Sequence, residues 1–276
     1  METIRRYFHS PVAVLGLVLL VAVCAAALGA GLWFPKNPLS LAGRPLQWPG
    51  DNARFLLGTD QVGRDIAAQI LHGARVTLAI GLAATLVSVL IGVTLGAVAG
   101  YYGGLADDLL MRVTEAFQIL PNFLLLLVLV AVFGSDLRTV VLAIGLVSWP
   151  PVARLTRSEF LTLKTREFVQ AGRALGMGDL RLIFREILPN ALPPVIVYAS
   201  VIMATAILLE SALAFLNLSD PNVPSWGNLI GGGRGVIRVQ WYVSAIPGIA
   251  ILLTVLAISL VGQGVNDALN PRLKRS

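Results

Sequence analysis

The chain alternates long uncharged stretches with short polar ones, and six of the stretches are long or apolar enough to be membrane spans. They are continuous apolar runs without the two-residue alternation of barrel strands, so they predict α-helices. The predicted spans cover residues 11–34, 76–106, 116–135, 139–153, 187–209 and 239–266. The pattern therefore predicts an all-α membrane protein with six transmembrane helices.

The composition supports a membrane protein and excludes several other classes. Of the 276 residues, 56% are hydrophobic and only 13% are charged, whereas soluble domains carry about a quarter charged residues. A net charge of +6 would suggest nucleic acid in a soluble protein, but here basic residues orient the chain in the membrane, and no nucleic-acid partner is expected. One cysteine, Cys24, and two histidines, His9 and His72, predict neither an internal disulfide nor a metal site.

The distribution of lysine and arginine predicts the topology. With the N-terminus in the cytoplasm, thirteen of the 21 basic residues fall on cytoplasmic segments, which favours both termini inside. Residues 1–10 and 267–276 are then cytoplasmic, residues 35–75 form an exterior loop, and residues 76–266 form a five-helix core behind the first span. A cleaved signal peptide is the alternative for the first span, which is about twice as long as a typical apolar signal region.

One predicted span carries glycine at three positions spaced four residues apart. Gly92, Gly96 and Gly100 share one face of the second span. Small residues at this spacing let two helix backbones approach closely in lipid. The partner is either another helix of the same chain, which is the commoner case, or a helix of another subunit.

A polar, basic island at about residues 157–190 separates the fourth and fifth spans. Phe168, Ala171 and Leu175 recur at i, i+3 and i+7, which places them on one face of a short helix. Glycines then break the helix, and Asp179 is predicted to cap a second one. The residues alone leave two roles open for the first helix, a docking knob for a partner protein or an amphipathic helix that rests on lipid headgroups.

The island resembles the EAA loop of ABC-importer permeases, whose pattern is Glu-Ala-Ala, three residues, Gly, nine residues, Ile, one residue and Leu-Pro. Gln170-Ala171-Gly172 stands at the triplet, Gly176 at the glycine and Leu188-Pro189 at the final pair. Gln replaces the family's Glu at the first of these positions, and Glu186 replaces its Ile, while the spacing is intact. Glycine in place of the second alanine should lower helix propensity by about 1 kcal/mol.

Further motifs are similar to those of one branch of these permeases, the C-type subunits of dipeptide, oligopeptide and nickel importers. Residues 57–65 resemble the branch's LGTDxxGRD signature. Asn217 and Ser219 replace glycines that the branch usually has, and Gln263 replaces a usual Asp. The remaining motifs follow in the branch's order: GYYGG at 100–104, WP at 149–150, EFVQA at 167–171, PSWG at 224–227 and DALNPRL at 267–273.

This resemblance implies a type I ABC-importer permease fold in the bacterial inner membrane, with the island as a cytoplasmic coupling helix. It implies half of a peptide translocation pathway, with a homologous B-type permease, two cytoplasmic ATPases and an extracytoplasmic binding protein as partners besides membrane lipid. The chain has no G-x-x-x-x-G-K-[ST] phosphate loop, so ATP and Mg²⁺ are expected on the partners, and no cofactor or enzymatic activity on this chain. The residues implied in ATPase coupling are Arg166, Glu167, Gln170, Ala171, Gly172, Arg173 and Gly176.

Glu210 is the acidic residue of the apolar stretch that contains the fifth predicted span, directly after the end of that span. A carboxylate in lipid is costly and suggests function by default, so it could face the pore and meet a peptide amine. It could equally cap residues 225–227 or pair with the other permease. Asp60 and Arg64, four residues apart, predict an ion pair on an exterior helix.

Two other functions make different demands on the sequence. An ion-coupled carrier acting alone would need an ionisable relay deep in the membrane, and only Glu210 is available for it. An intramembrane enzyme would need a nucleophile with a histidine or paired carboxylates, and no predicted span contains either. Both are therefore weaker hypotheses than the permease.

Overall fold

A computed structural model describes residues 7–269 of the chain. Within this range the chain is helical apart from turns and loops, with one isolated β-bridge between Thr59 and Asp65. The helices used below are α1 Pro11–Trp33, α2 Ile66–Tyr102, α3 Gly104–Ile119, α4 Asn122–Phe133, α5 Leu137–Ser148, α6 Pro150–Leu163, α7 Glu167–Ala174, α8 Asp179–Arg181, α9 Leu188–Phe215, α10 Trp226–Gly233 and α11 Tyr242–Leu269. A π-helical segment, Leu182–Ile187, joins α8 to α9, and a 3-10 turn, Arg234–Val236, follows α10.

Within residues 7–269, four helices are long and apolar enough to cross a membrane: α1, α2, α11 and the continuous helical segment Asp179–Phe215. Two more spans are broken, since α3 and α4 meet at 86° and α5 and α6 at 43°. Counting each bent pair as one span gives six, in agreement with the sequence. The break after α3 falls at Pro121, and α6 begins with Pro150, a first-turn position that tolerates proline.

The loop predicted over residues 35–75 is shorter in the structure, because α2 begins ten residues before its predicted start. Asp65 caps α2 by accepting hydrogen bonds from the backbone N–H groups of Ala67 and Ala68. Arg75 had interrupted the uncharged run in the sequence. Arg75 is exposed, and its guanidinium donates to the carbonyls of Ala27 and Leu28 in the neighbouring α1.

The fifth and last spans also differ from the prediction. The fifth span was expected to stop at 209, before Glu210, but α9 continues to Phe215. The last span was expected over 239–266, and α11 runs from Tyr242 to Leu269, into the predicted tail. Residues 1–6 and 270–276, which belong to the predicted cytoplasmic terminal segments, lie outside the described residues.

Helix α2 lies at the centre of the bundle and packs on α1, α5, α6 and α9, while α11 packs on α1, α9 and α10. Helices α2 and α5–α6 run in the same direction, since Ser88 donates to the carbonyl of Gly145 and Gly100 lies beside Phe160. The bundle therefore has two ends. We call the end that carries residues 157–190 the island end, and the end that carries the loop 34–65 and α10 the opposite end.

The glycines of α2 make the close approach of α6 possible. A Cβ atom at Gly92 would stand 2.5 Å from Cβ of Val152, and one at Gly100 would stand 2.6 Å from Cβ of Phe160. A Cβ at Gly96 would overlap the backbone oxygen of Ala153. The helix partner of this stripe is therefore α6 of the same chain, the first of the two alternatives that the spacing left open.

Candidate coupling site

The eight-residue helix α7 ends in a turn that requires glycine. The N–H of Gly176 donates to the carbonyl of Arg173 (3.0 Å), and the N–H of Met177 donates to the carbonyl of Gly172 (3.1 Å). This pair of bonds is the Schellman motif, and Gly176 has the left-handed φ of +75° that the motif needs. No neighbour would touch a Cβ at Gly176, so the requirement is one of backbone conformation alone.

The inner face of α7 packs on the helical segment that follows it. Val169 is fully buried, and Gly172 is buried beside it. A Cβ at Gly172 would lie 2.9 Å from Cδ2 of Leu182 and 3.1 Å from Sδ of Met177. The glycine that weakens the helix intrinsically therefore lets α7 approach Leu182 closely.

The apolar face predicted from the sequence points away from the rest of the chain. Phe168 is 41% exposed and Leu175 is 80% exposed, and Ala171 between them is also exposed. The inner face of α7 is packed on the chain through Val169. The side chains of Phe168, Ala171 and Leu175 therefore lie outside the chain's own core. They are available to a partner.

The second helix of the island differs from the prediction. Asp179 is not the cap but the first helical residue, after Gly178. The segment Leu182–Ile187 is π-helical, which shifts the register of the face that is buried. Leu180 and Phe184 are exposed, while Leu182, Ile183 and Ile187 are buried.

Polar contacts tie the island to the end of α2 and to the start of α3. The hydroxyl of Tyr101, a buried residue, donates to Oδ1 of Asp179 (2.6 Å). The ammonium of Lys164 donates to the carbonyl of Gly100 (2.7 Å). The guanidinium of Arg157 binds the carboxylate of Asp107 through two hydrogen bonds of 2.5 and 2.6 Å.

Gln170, the residue that departs from the family's Glu, has a specific contact. Its Nε2 donates to the carbonyl of Lys164 (3.0 Å), which closes the turn before α7. A carboxylate at this position would be unable to donate this bond. The replacement therefore matches the local structure of this island.

The charged residues at the ends of α7 lie where the helix dipole favours them. Glu167 is in the first turn and Arg173 in the last, and both are exposed. Arg166 precedes the helix without capping it through its side chain. Neither arginine forms an ion pair with a residue of 7–269, and Arg173 lies near the Tyr101 hydroxyl.

Glu210 lies at the opposite end, away from the coupling residues. It is 2% exposed, and its Oε1 accepts a hydrogen bond from the hydroxyl of Ser225 (2.7 Å). Ser225 is itself the N-cap of α10 and accepts from the N–H of Asn228. Oε2 has no hydrogen-bond partner within the described part of the chain. The carboxylate thus lies in the joint between α9 and α10.

The loop before α2 is organised differently from the sequence prediction. Asp60 and Arg64 lie in a turn and not on a helix, and Oδ1 of Asp60 accepts the backbone N–H groups of Val62 (3.0 Å) and Arg64 (2.8 Å). Thr59, fully buried, accepts from the N–H of Gln47 and donates to the carbonyl of Arg44. Two glycines of the GTDxxGRD segment have positive φ angles, which is the physical reason for glycine there.

Sequence reasoning missed the contacts that hold the island in place. It included Tyr101 and Val169 only within longer motifs, and it gave no role to Lys164. The bonded pair of Tyr101 and Asp179 is separated by 78 residues. No periodicity or spacing in the sequence predicts this contact, because the contact depends on how the spans pack.

The chain is similar to several characterised transport proteins. Residues 92–275 match the family described as "Binding-protein-dependent transport system inner membrane component". A di/tripeptide transport system permease protein, DppC, of Pseudomonas aeruginosa is 40% identical over 99% of this chain and 92% of its own length. The dipeptide permease DppC of Escherichia coli K12 is 42% identical over 100% of this chain and 95% of its own.

More distant relatives agree in fold. A glutathione transport system permease, GsiD, of Pectobacterium atrosepticum is 36% identical over 98% of this chain and 90% of its own length. A structure of the inward-facing MetNI methionine ABC transporter superposes with a TM-score of 0.59 at 19% identity, and covers 73% of this chain and 97% of that one. At this identity the structural match shows the fold, which is that of a type I ABC-importer permease.

Proposed function

Since the chain belongs to the inner membrane components of binding-protein-dependent transport systems, we propose that it is the C-type permease of an ATP-driven importer of di- and tripeptides. Two relatives that match it over nearly their whole length carry di/tripeptide or dipeptide transport in their names. The family is one of multi-pass inner membrane transport components. An ion-coupled carrier acting alone, the alternative from the sequence, does not fit that family.

Membership of an ABC-importer family implies a transmembrane partner and ATPase subunits. In our proposal the partner is a homologous B-type permease, and two cytoplasmic ATPases and an extracytoplasmic peptide-binding protein complete the assembly. ATP and Mg²⁺ bind to the ATPases, and this chain needs no cofactor of its own. The island end faces the cytoplasm together with both termini, which agrees with the excess of basic residues on that side.

The observation that carries the coupling assignment is the exposed apolar face of an otherwise anchored helix. In our proposal Phe168, Ala171 and Leu175 of α7 dock on an ATPase, and the flanking polar positions Arg166, Glu167, Gln170 and Arg173 surround that contact. Gly172 and Gly176 shape the helix and its end. The alternative, α7 resting on lipid headgroups, gives no reason for the hydrogen bonds that tie the island to α2.

The contacts that hold α7 on the rest of the chain can pass a displacement of α7 to the membrane spans. Helix α7 packs through Val169 and Gly172 on the helical segment that begins at α8. This segment is joined to α2 by the Tyr101–Asp179 bond and continues into α9. Helix α7 is joined to α6 by the short turn that Gln170 and Lys164 close. A displacement of α7 by closing ATPases would therefore move three spans together, and ATP would shift the balance between inward- and outward-facing arrangements.

The test is to charge the outer face of α7 in the assembled transporter. Phe168→Asp combined with Leu175→Asp should abolish co-purification of the ATPases and ATP-dependent uptake of labelled Ala-Ala into proteoliposomes, because a desolvated carboxylate in an apolar groove is costly. Leu41→Asp, an exposed leucine (74%) at the opposite end, is the matched control and should keep the ATPases bound.

Retention of both ATPases and uptake in the double variant would show that α7 is not the docking element. Uphill uptake by vesicles that contain the permeases without ATPases would instead support the ion-coupled carrier.

A further inference from the structure

A polar cavity of about 440 Å³ lies at the opposite end of the bundle. Its wall joins the turn 60–64, the start of α2 at Gln69, Ser135 between α4 and α5, and the segment that connects α9 to α10. The ends of several spans therefore meet around it. Its volume lies within the roughly 300–1,000 Å³ of sites that bind small molecules.

Most polar groups in the wall are already hydrogen-bonded within the chain. Both oxygens of Asp60 accept bonds, Oδ1 from two backbone N–H groups and Oδ2 from Nε2 of Gln69 (3.1 Å). The amide of Asn228 donates to the carbonyls of Asp220 and Val223. The carboxylate in the wall is thus committed to holding the turn and offers little to a ligand cation.

Arg64 is different. Its backbone holds the turn, since its N–H donates to Asp60 and its carbonyl accepts from the N–H of Asp60 (3.0 Å). Its side chain lines the cavity, yet its Nε is buried without a hydrogen-bond partner in residues 7–269, and the guanidinium forms no ion pair with a residue of that range. A buried donor of a charged group is costly to leave unpaired, so a missing acceptor is the physical explanation.

The chemistry of that acceptor follows from the guanidinium. Its planar fork matches a carboxylate and binds it through two parallel hydrogen bonds. Two other polar side chains of the wall, Ser135 and Asn217, form no hydrogen bond with described residues and can serve peptide amides. The cavity is large enough for a short peptide but not for a folded element of a partner protein.

We propose that this cavity is a receiving site for the substrate, in which Arg64 binds the C-terminal carboxylate of the peptide as the binding protein releases it. The inference rests on the proposed function, because it requires the opposite end to face outward and the substrate to be a peptide. It assigns the permease a share in substrate recognition, in addition to that of the binding protein.

The experiment uses the complete transporter with its ATPases in nanodiscs, without the binding protein. Equilibrium binding is measured with labelled Ala-Ala and with its C-terminal amide. The wild-type complex should bind the acid more tightly than the amide by about tenfold, the size expected when a charge-assisted hydrogen bond is lost. Arg64→Gln should bind both probes equally, and Arg64→Lys should fall between the two. Arg44→Gln removes an exposed guanidinium of the same loop that does not line the cavity, and should leave the preference unchanged.

A second measurement separates this site from a docking contact. With the binding protein restored, Arg64→Gln should lower peptide uptake per ATP hydrolysed at saturating binding protein, while the concentration of binding protein that gives half-maximal ATPase activity stays the same. A rise in that concentration for the empty and the loaded binding protein alike would make Arg64 a docking residue and overturn the proposal.

An unchanged preference for the acid in Arg64→Gln would also overturn it. If Arg64→Gln does not assemble, the acid-over-amide ratio of Arg64→Lys decides the question, and a wild-type ratio there is a negative result. If the wild-type transporter with its binding protein takes up no peptide at all, the proposed function fails. If it does and only the Arg64 results are negative, this inference alone fails.

Discussion

The two ends of the bundle use glycine and polar residues in contrasting ways. At the island end, Gly176 permits a left-handed turn in open space, and the helix before it shows an apolar face to the outside. At the opposite end, Gly58 and Gly63 permit left-handed turns in close contact with the backbone of residues 43–49, and the loop forms part of the wall of a cavity. A helix with an exposed apolar face suits a protein partner. A loop held by internal hydrogen bonds, beside a cavity with polar side chains in its wall, suits a small solute.

Replacing the crowded glycine should have the largest effect. Gly63→Ala would drive a Cβ into the carbonyl oxygen of Gly43 and would force a left-handed φ of +89° on alanine. We expect a loss of stability of about 3 kcal/mol, from backbone strain and overpacking together. The thermal unfolding of the purified complex measures it.

Gly176→Ala is the matched change at the island end, where the Cβ has room. It should cost only about 1–2 kcal/mol, for the left-handed conformation alone. Equal shifts in the unfolding temperature for the two alanine variants would contradict the contrast between the ends.

Glu210 sharpens the description of the opposite end. Glu210→Ala removes the acceptor of Ser225 and leaves a buried hydroxyl and a void, so we expect a loss of about 2–3 kcal/mol. Glu210→Gln keeps an oxygen for the same bond and should retain most of the stability and of the peptide uptake. A glutamine variant that is stable but transports nothing would instead give the carboxylate charge a role in transport.

Tyr101→Phe tests the tether of the island. It removes the hydroxyl that donates to Asp179 and leaves the buried ring, so the cost in stability should be about 1 kcal/mol. Because the tether links the island to α2 through Asp179 of α8, the ratio of peptide transported to ATP hydrolysed should fall more than the ATPase rate itself. Loss of both in equal proportion would point to a general defect of folding and not of coupling.

Gln170→Glu should have the smallest effect. The carboxylate restores the residue usual in the family but is unable to donate to the carbonyl of Lys164, so we expect a loss of about 0.5–1 kcal/mol. Gln170→Ala, which also removes the donor without adding charge, is the control. A gain in stability for the glutamate variant would show that the bond to Lys164 contributes nothing.

The sequence predicted much of the fold but not where every helix begins or which of its faces is buried. Six spans, the helix, turn, helix order of the island and the shared face of Phe168, Ala171 and Leu175 follow from periodicity, but the outward direction of that face does not. The early start of α2 did not, because Arg75 interrupts the apolar run and is hydrogen-bonded to carbonyls of another helix. The π-helical turn at 182–187 also escaped prediction, since its register is set by packing against α7 and α9.

The sequence by itself determined which segments enter the membrane and where the chain must turn, because apolar length and glycine conformation are local properties of the chain. Only the tertiary structure decided what the polar side chains do. Tyr101 meets Asp179, Glu210 meets Ser225, and the guanidinium of Arg64 is left beside a cavity. These outcomes depend on which distant residues the packed spans bring within hydrogen-bonding distance, and no local pattern encodes that distance.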